Sequence, residues 1–387
     1  MRFLLPRRVA RRARLLFVLA AFCTLLVFFW SGGGALRLSP HRISNAGLYR
    51  PSEDAASLCR RHGWRPFRPP KSFSWWPLAP AEEHPRPRKV YDLFMINNEM
   101  EWLEVRLNTT YELVDHFVVV EAPLTFTGLP KPLVIKENWD RLRPYHAKLF
   151  YHELQYPPDY NPPRPWDRED LQRDASLEQA LPRLAAEVPG AAPRAGDALV
   201  VADVDEIIRP ETLRLLRACE FPRRLTLRSR FYYYGFEFLH RGPEWPHPQA
   251  TYYEGARSSS AGGGGTTIKP TNLRNSDGGF APLSWLDMAD LWNAGWHCST
   301  CYRTVADVLR KMASFSHVPL NQEVFRDPNR IADRVRRGKD IWDREGEHYD
   351  FVPNNTDMPP FLLANPERFG YLLNRTGESA GFEDYLP

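Results

Sequence analysis

The chain has 387 residues, 43% hydrophobic and 13% aromatic, enough to bury the core of one large domain or two ordinary ones. Its formal charge of +4 comes from the N-terminus: Arg2, Arg7, Arg8, Arg11, Arg12 and Arg14 precede every acid, and +4 less these six leaves −2 for the remainder. A near-neutral body excludes the basic excess that a nucleic-acid binder carries on its folded domain.

After a basic tail, residues 1–14, the run from Leu15 to Trp30 is uncharged and strongly apolar, and Ser31 to Leu36 extends it. Residues 15–36 are expected to form a signal anchor suited to a thin early-secretory membrane, with the arginines cytoplasmic and the body lumenal. A cleaved signal peptide ending near Gly34 and Ala35 is the alternative. Asn108, Asn354 and Asn374 begin N-glycosylation tripeptides, which agrees with a lumenal body. Outside the apolar run there are four cysteines: Cys59, Cys219, Cys298 and Cys301. In an oxidising compartment they imply two disulfides, with the pairing open. The Cys298–Cys301 spacing also suits half a zinc site or a redox pair, but no second ligand pair follows it.

Residues 37–88 are rich in Pro, Arg and Trp without periodicity, and read as a stem whose tryptophans could dock on the body. The folded body is expected over 89–387. Val90 to Ile96 reads as a buried strand with Asn97, Asn98 and Glu99 at its end. Glu101 to Leu113 has helical spacing, His116 to Val120 is a second strand ending at Glu121, and Lys148 to Tyr151 is a candidate third. Arg168 to Val188 is helical, interrupted at Pro182. The run from Leu199 to Ala202 is a strand leading directly into Asp203, Asp205 and Glu206. A proline-started helix follows at Pro210 to Cys219, and a strand at Arg224 to Tyr234. Asp327 to Arg344 reads as an amphipathic helix, and Asn365 as the cap of another with Pro366 at its first position. The stretch 255–279, with Gly262 to Gly265, reads as a mobile loop. Strands alternating with helices predict a mainly parallel α/β sheet. Ligands of such sheets bind beyond the carboxyl ends of the strands, where two carboxylates one residue apart can both face a hard cation.

These residues resemble glycosyltransferase family 17. The resemblance runs from about Val90 to Arg375 and rests on Phe94 to Glu99, Leu103 to Arg106, Val120 to Pro123, Thr125 to Gly128, Asp203 to Glu206, Tyr232 to Phe236 and Ala294 to Ser299, in that order. It implies a GT-A-type fold, UDP-N-acetylglucosamine as donor, a divalent ion (usually manganese), and a glycan acceptor, the core mannose of N-glycans in β-1,4 linkage. Together with the basic tail and apolar run, the reading is a single-pass type II protein of the Golgi or endoplasmic reticulum membrane. A homodimer is compatible with the sequence. The metal falls to Asp203 and Asp205, with Asp205 favoured as the direct ligand. A cation there would neutralise the charge that builds as UDP departs.

Inversion at the sugar carbon requires a carboxylate to take the acceptor proton. Glu121, Asp287, Asp290 and Glu323 are candidates, each equally readable as structural or solvated. Asn97 and Glu99 are placed to bind nucleotide or to cap a helix. His297 could contact phosphates or be a buried, hydrogen-bonded histidine. Arg173 could pair with a phosphate or be solvated. Tyr232, Tyr233, Tyr234 and Phe236 could stack on a sugar, with at least half of them expected in the core. Where relatives carry an acid before Ala294 to Cys298, this chain has Asn293. Two rival readings are a haloacid-dehalogenase-type phosphatase, with Asp203 as nucleophile and Asp205 as acid, and a non-catalytic lumenal glycan-binding or scaffold protein. Ile207 stands where the phosphatases carry Thr or Val.

Overall fold

The computed structural model describes residues 54–69, 87–255, 267–275 and 288–386. The basic tail, the apolar run 15–36, most of the expected stem, Gly262 to Gly265 and Asp287 lie outside them. All described residues belong to one compact unit, Ile43–Pro387; the other unit, Met1–Arg42, lies outside them. Among the described residues no helix is long and apolar enough to cross a membrane.

Strand β1, Val90–Ile96, is buried along its whole length and pairs in parallel with β2, His116–Glu121, and with β4, Ala198–Asp203. Strand β3, Leu149–Glu153, pairs in parallel with β2. These four lie in the order β3-β2-β1-β4. Side chains alternate across the sheet. Val90, Phe94, Ile96 and Val200 therefore enter one core layer, while Tyr91, Leu93, Leu199 and Val201 enter the other. Short Val/Leu runs form these strands because both faces are covered.

The sheet is mixed rather than mainly parallel. Beyond β4 it continues antiparallel through β8 (Gln249–Tyr252), β6 (Arg224–Tyr233), β7 (Gly235–His240) and β10 (Tyr349–Phe351). Strand β6 turns directly into β7 at Tyr234, whose φ of 65° reverses the chain without a crossover helix. Strand β9, Met288–Ser299, runs parallel to β6 and antiparallel to β5, Glu206–Ile208.

The helices depart from expectation at identifiable residues. Helix α1, Ala55–Arg61, lies in the segment read as stem. Asp54 caps it by accepting from Ser57 N–H at 2.9 Å, and Cys59 is disulfide-bonded to Cys219 at the end of α5, Pro210–Ala218. Trp64 packs against the main core. Helix α2, Met100–Thr110, follows β1. The stretch 168–188 is α3, Pro165–Ala175, a wide π turn at Ser176–Ala180, and α4, Leu181–Glu187. The wide turn precedes Pro182, which has no N–H to continue the ladder and whose ring needs the extra room. Helix α6, Pro270–Arg274, lies within the stretch expected to be a mobile loop, and α7, Val305–Ser314, follows β9. The amphipathic helix α8 covers only Pro328–Arg336, because Gly338 adopts a left-handed φ of 58° and ends it. Asn365 does not cap a following helix. It closes α9, Pro360–Ala364, donating from Nδ2 to the Phe361 carbonyl at 2.8 Å, and the next helix, α10, begins only at Gly370.

Candidate active site

In the parallel half, β1 and β4 are neighbours: from β1 the chain steps outward to β2 and β3, then returns to add β4 on the other flank of β1, so the strand order reverses here. Such a switch point opens a crevice at the carboxyl ends. Met95 stands opposite Asp203 across this pair, so Asn97 to Glu99 and Asp203 to Glu206 share one edge.

The turn from Asp203 to Glu206 is braced from both sides. Arg106, fully buried on α2, forks onto Asp92 at 2.7 and 2.6 Å, and its Nη1 donates to the carbonyls of Asp203 and Glu206 at 2.8 Å each. On the other side the buried Glu206 carboxylate accepts from Asp203 N–H at 2.7 Å, Trp245 Nε1 at 2.6 Å, and Arg274 at 2.8 and 2.9 Å. Burial would raise this carboxyl, but the Arg274 guanidinium outweighs it and Glu206 stays ionised.

The two aspartates have different surroundings. Asp203 is held by Arg274 Nη2 at 2.6 Å and by Arg173 Nη2 at 3.2 Å. Asp205 has no such clamp. Burial pushes its carboxyl up to about 7, aided by Glu206, Asp203 and Glu99 and opposed by the Lys311 ammonium. Its Oδ1 lies 3.8 Å from His297 Nδ1.

His297 is delivered by β9, opposite Glu206 in the β5–β9 ladder. Its ring packs against Trp245, at 4.5 Å, and Phe231, at 5.2 Å, which also meet each other at 5.1 Å. Burial pushes it down to about 4, so it is neutral, and its buried Nδ1 makes no hydrogen bond. The preceding Gly295 is required by close approach: a Cβ there would meet Ile207 O at 2.6 Å and Ser229 Oγ at 2.7 Å. Cys298 and Cys301 form a disulfide just beyond His297, so the sequence spacing marks a cystine rather than half a zinc site.

Glu99 turns back to accept from the N–H groups of Asn97 and Asn98, both at 2.9 Å, and pairs with Lys311 at 3.3 Å. Burial acts to raise its carboxyl, yet Lys311 and these N–H groups hold it below the ordinary value. The geometry is that of a brace before α2. Asn97 donates from Nδ2 to Ser314 Oγ at 2.9 Å, and its carbonyl accepts from Lys131 at 2.8 Å.

The candidate bases are not gathered here. Glu121 is fully buried and accepts from Ile135 N–H at 3.2 Å and from Lys131 at 3.4 Å, its carboxyl raised by burial. Asp290 is paired with Arg228 at 2.7 Å, seven residues before His297 on β9, which is roughly 20 Å along an extended strand. Glu323 is 97% exposed on a short turn beyond α7. Asp287 lies outside the described residues. Tyr232, Tyr233, Tyr234 and Phe236 are all buried in the core, so none offers a face to a sugar.

Sequence reading missed Arg274, Lys311, Glu169 and Trp245. Arg274 sits in a stretch whose composition suggested only a loop, and the other three carry no local signal. Asn293 has a left-handed φ of 54°, which asparagine tolerates; its N–H donates to Glu244 at 2.7 Å and its side chain accepts from Arg209 at 2.6 Å.

An α/β sheet with an acidic turn at its switch point, faced by Arg173, Arg274 and Lys311, defines the class. The model of glycosyltransferase family 17 matches residues 43–261 and 286–378, and the chain belongs to that family. Among curated relatives, β-1,4-mannosyl-glycoprotein 4-β-N-acetylglucosaminyltransferase of Homo sapiens is 26% identical over 328 residues, covering 77% of this chain and 56% of the relative. The proteins of that name from Rattus norvegicus and Mus musculus are each 26% identical, over 327 and 320 residues, covering 76% of this chain and 56% of the relative in both cases. The chain thus spans about half the length of the curated relatives it matches. Membership of this family sets the phosphatase reading aside.

Proposed function

We propose that the chain is an inverting glycosyltransferase that moves N-acetylglucosamine from UDP-N-acetylglucosamine to a glycan acceptor, the core mannose of N-glycans in β-1,4 linkage, from a type II position in the Golgi or endoplasmic reticulum membrane. The observation that carries this reading is the fixed turn Asp203 to Glu206 at the β1–β4 switch point, with Arg173, Arg274 and Lys311 converging on it. Those three side chains supply fixed positive charge where a departing diphosphate gains negative charge.

The residues fit a divalent cation unevenly. Asp205, with no arginine on it, and the unpartnered Nδ1 of His297 suit a hard cation of the manganese type. Asp203 is engaged by two guanidinium groups and does not suit one while they hold it. Among the described residues no three acidic, histidine or cysteine groups cluster as a protein-only metal site. The site therefore fits a cation that takes Asp205 and His297 from the chain and its remaining ligands from the donor. Such an ion would neutralise charge on the diphosphate as the glycosidic bond forms. Arg106 and Glu206 hold the turn in place, and Trp245 and Phe231 fix the His297 ring. Of the proposed bases among the described residues, Glu323 is the most exposed.

The test is transfer by the full-length chain from UDP-N-acetylglucosamine to an N-glycan, read by mass spectrometry. The expected product is one N-acetylglucosamine heavier, and Asp205→Ala should give none while melting as the wild type does. Full activity in Asp205→Ala would contradict the assignment.

A further inference from the structure

Helix α3 joins the acidic turn to the rim of the crevice. Trp166, Glu169 and Arg173 are spaced i, i+3 and i+7, so they share one face. Each makes a contact toward the site. Arg173 holds Asp203; Glu169 accepts from Arg173 at 2.8 Å and from Ser316 Oγ at 2.5 Å. The residue after Ser316, His317, meets the Trp166 ring edge-on at 4.9 Å. His317 is in turn fixed by Phe315 at 5.3 Å, which stacks with Trp342 at 6.2 Å. Although so propped, Trp166 remains 42% exposed.

The indole packs against the His317 ring and leaves much of its surface open to solvent, one turn and more along the helix from the side chain that holds Asp203. It offers a broad apolar face at little conformational cost, with a polar N–H at its edge. A pyranose presents a face of C–H groups rimmed by hydroxyls, the complementary surface. Seven residues of helix separate Trp166 from Arg173 by roughly 10 Å, a distance suited to a later sugar of a glycan rather than to the ring that receives the transfer. The core tyrosines cannot serve this purpose, because they are buried.

We propose that Trp166, propped by His317, is the stacking platform for a pyranose ring of the glycan acceptor, at least one sugar away from the accepting hydroxyl. The platform rests on the transferase reading above for the identity of its ligand.

The test uses the full-length chain as wild type, Trp166→Ala and Trp166→Phe, with an N-glycan and a simple mannoside as acceptors. Trp166→Ala should raise the KM for the N-glycan at least ten-fold with kcat within two-fold. The Kd for UDP and the KM for the mannoside should be unchanged, and Trp166→Phe should restore most of the loss. An unchanged N-glycan KM, or an equal loss of UDP affinity, would overturn the proposal. If Trp166→Ala fails to fold, Trp166→Leu replaces it with the same expectations. If the wild type transfers nothing, the transferase reading fails, and saturation-transfer NMR with the N-glycan alone decides the platform. Glycan signal in the wild type and none in Trp166→Ala supports it; equal signal in both, or none in either, overturns it.

Discussion

Asp203 and Asp205 are one residue apart yet electrostatically opposite, and the cause is which arginines reach them. Asp203 is clamped by Arg173 and Arg274, whereas Asp205 is buried beside Glu206, Asp203, Glu99 and neutral His297, with Lys311 as the opposing cation. Its carboxyl sits near 7 in the folded state against 3.8 ordinarily. Between those values the native protein binds more protons than the unfolded chain, so this contribution to stability is full below about pH 4 and is lost as pH rises through about 7. In cation-free protein, Asp205→Asn should therefore flatten the decline in stability between pH 4.5 and 7.5, by on the order of a few kcal/mol. Urea unfolding at both values reads this, and parallel curves for wild type and variant would refute it. Arg274→Ala should cost about 3–5 kcal/mol, because it strands the buried Glu206 carboxylate and half of the Asp203 pairing; a melting temperature within a degree of wild type would contradict that. The aspartates were legible in the sequence because an apolar strand running into acids is a local pattern. Arg274 lies 71 residues from Asp203, and Lys311 lies 212 from Glu99, so only the fold brings them in.

At the scale of elements, the Gly-Trp-His-Cys block has a packing explanation. Strand β9 must press against β5 closely enough to place His297 opposite Glu206, and Gly295 permits it. Gly295→Ala should push β5 and β9 apart, cutting transfer at least ten-fold together with a lower melting temperature; wild-type values of both would show that the strands yield freely. The strands β1, β2 and β4 were legible because each is a largely apolar or β-branched run, and β6 because Leu225 to Leu227 and Phe231 to Tyr233 are strand-forming residues on either side of its arginines. The antiparallel half was not, since its direction is set by turns such as Tyr234, where a non-glycine residue at positive φ gives no composition signal. Helix α1 was hidden by its proline-rich surroundings, but the Cys59–Cys219 bond makes it part of the body. Replacing both cysteines by serine should cost about 2–5 kcal/mol, since the bond spans 160 residues. A fragment beginning at Lys89 should show the same loss and a free thiol at Cys219. Thermal unfolding and thiol titration measure both, and a Lys89 fragment as stable as the whole would refute the docking of α1.

At the scale of the whole molecule, a parallel β3-β2-β1-β4 half, which supplies the crevice, meets a second half that brings His297 and the rings of Trp245 and Phe231 to the acidic turn. The α/β class and the acidic turn follow from sequence pattern. The arginines and lysine that face that turn follow from the way the two halves close on each other. The central claim is that this turn serves a sugar nucleotide. The most direct measurement is UDP release by the full-length chain from a panel of UDP-sugars, with and without manganese and with and without an N-glycan. The account predicts release from UDP-N-acetylglucosamine that requires the cation and rises with the glycan. No release from any UDP-sugar by folded protein would contradict it.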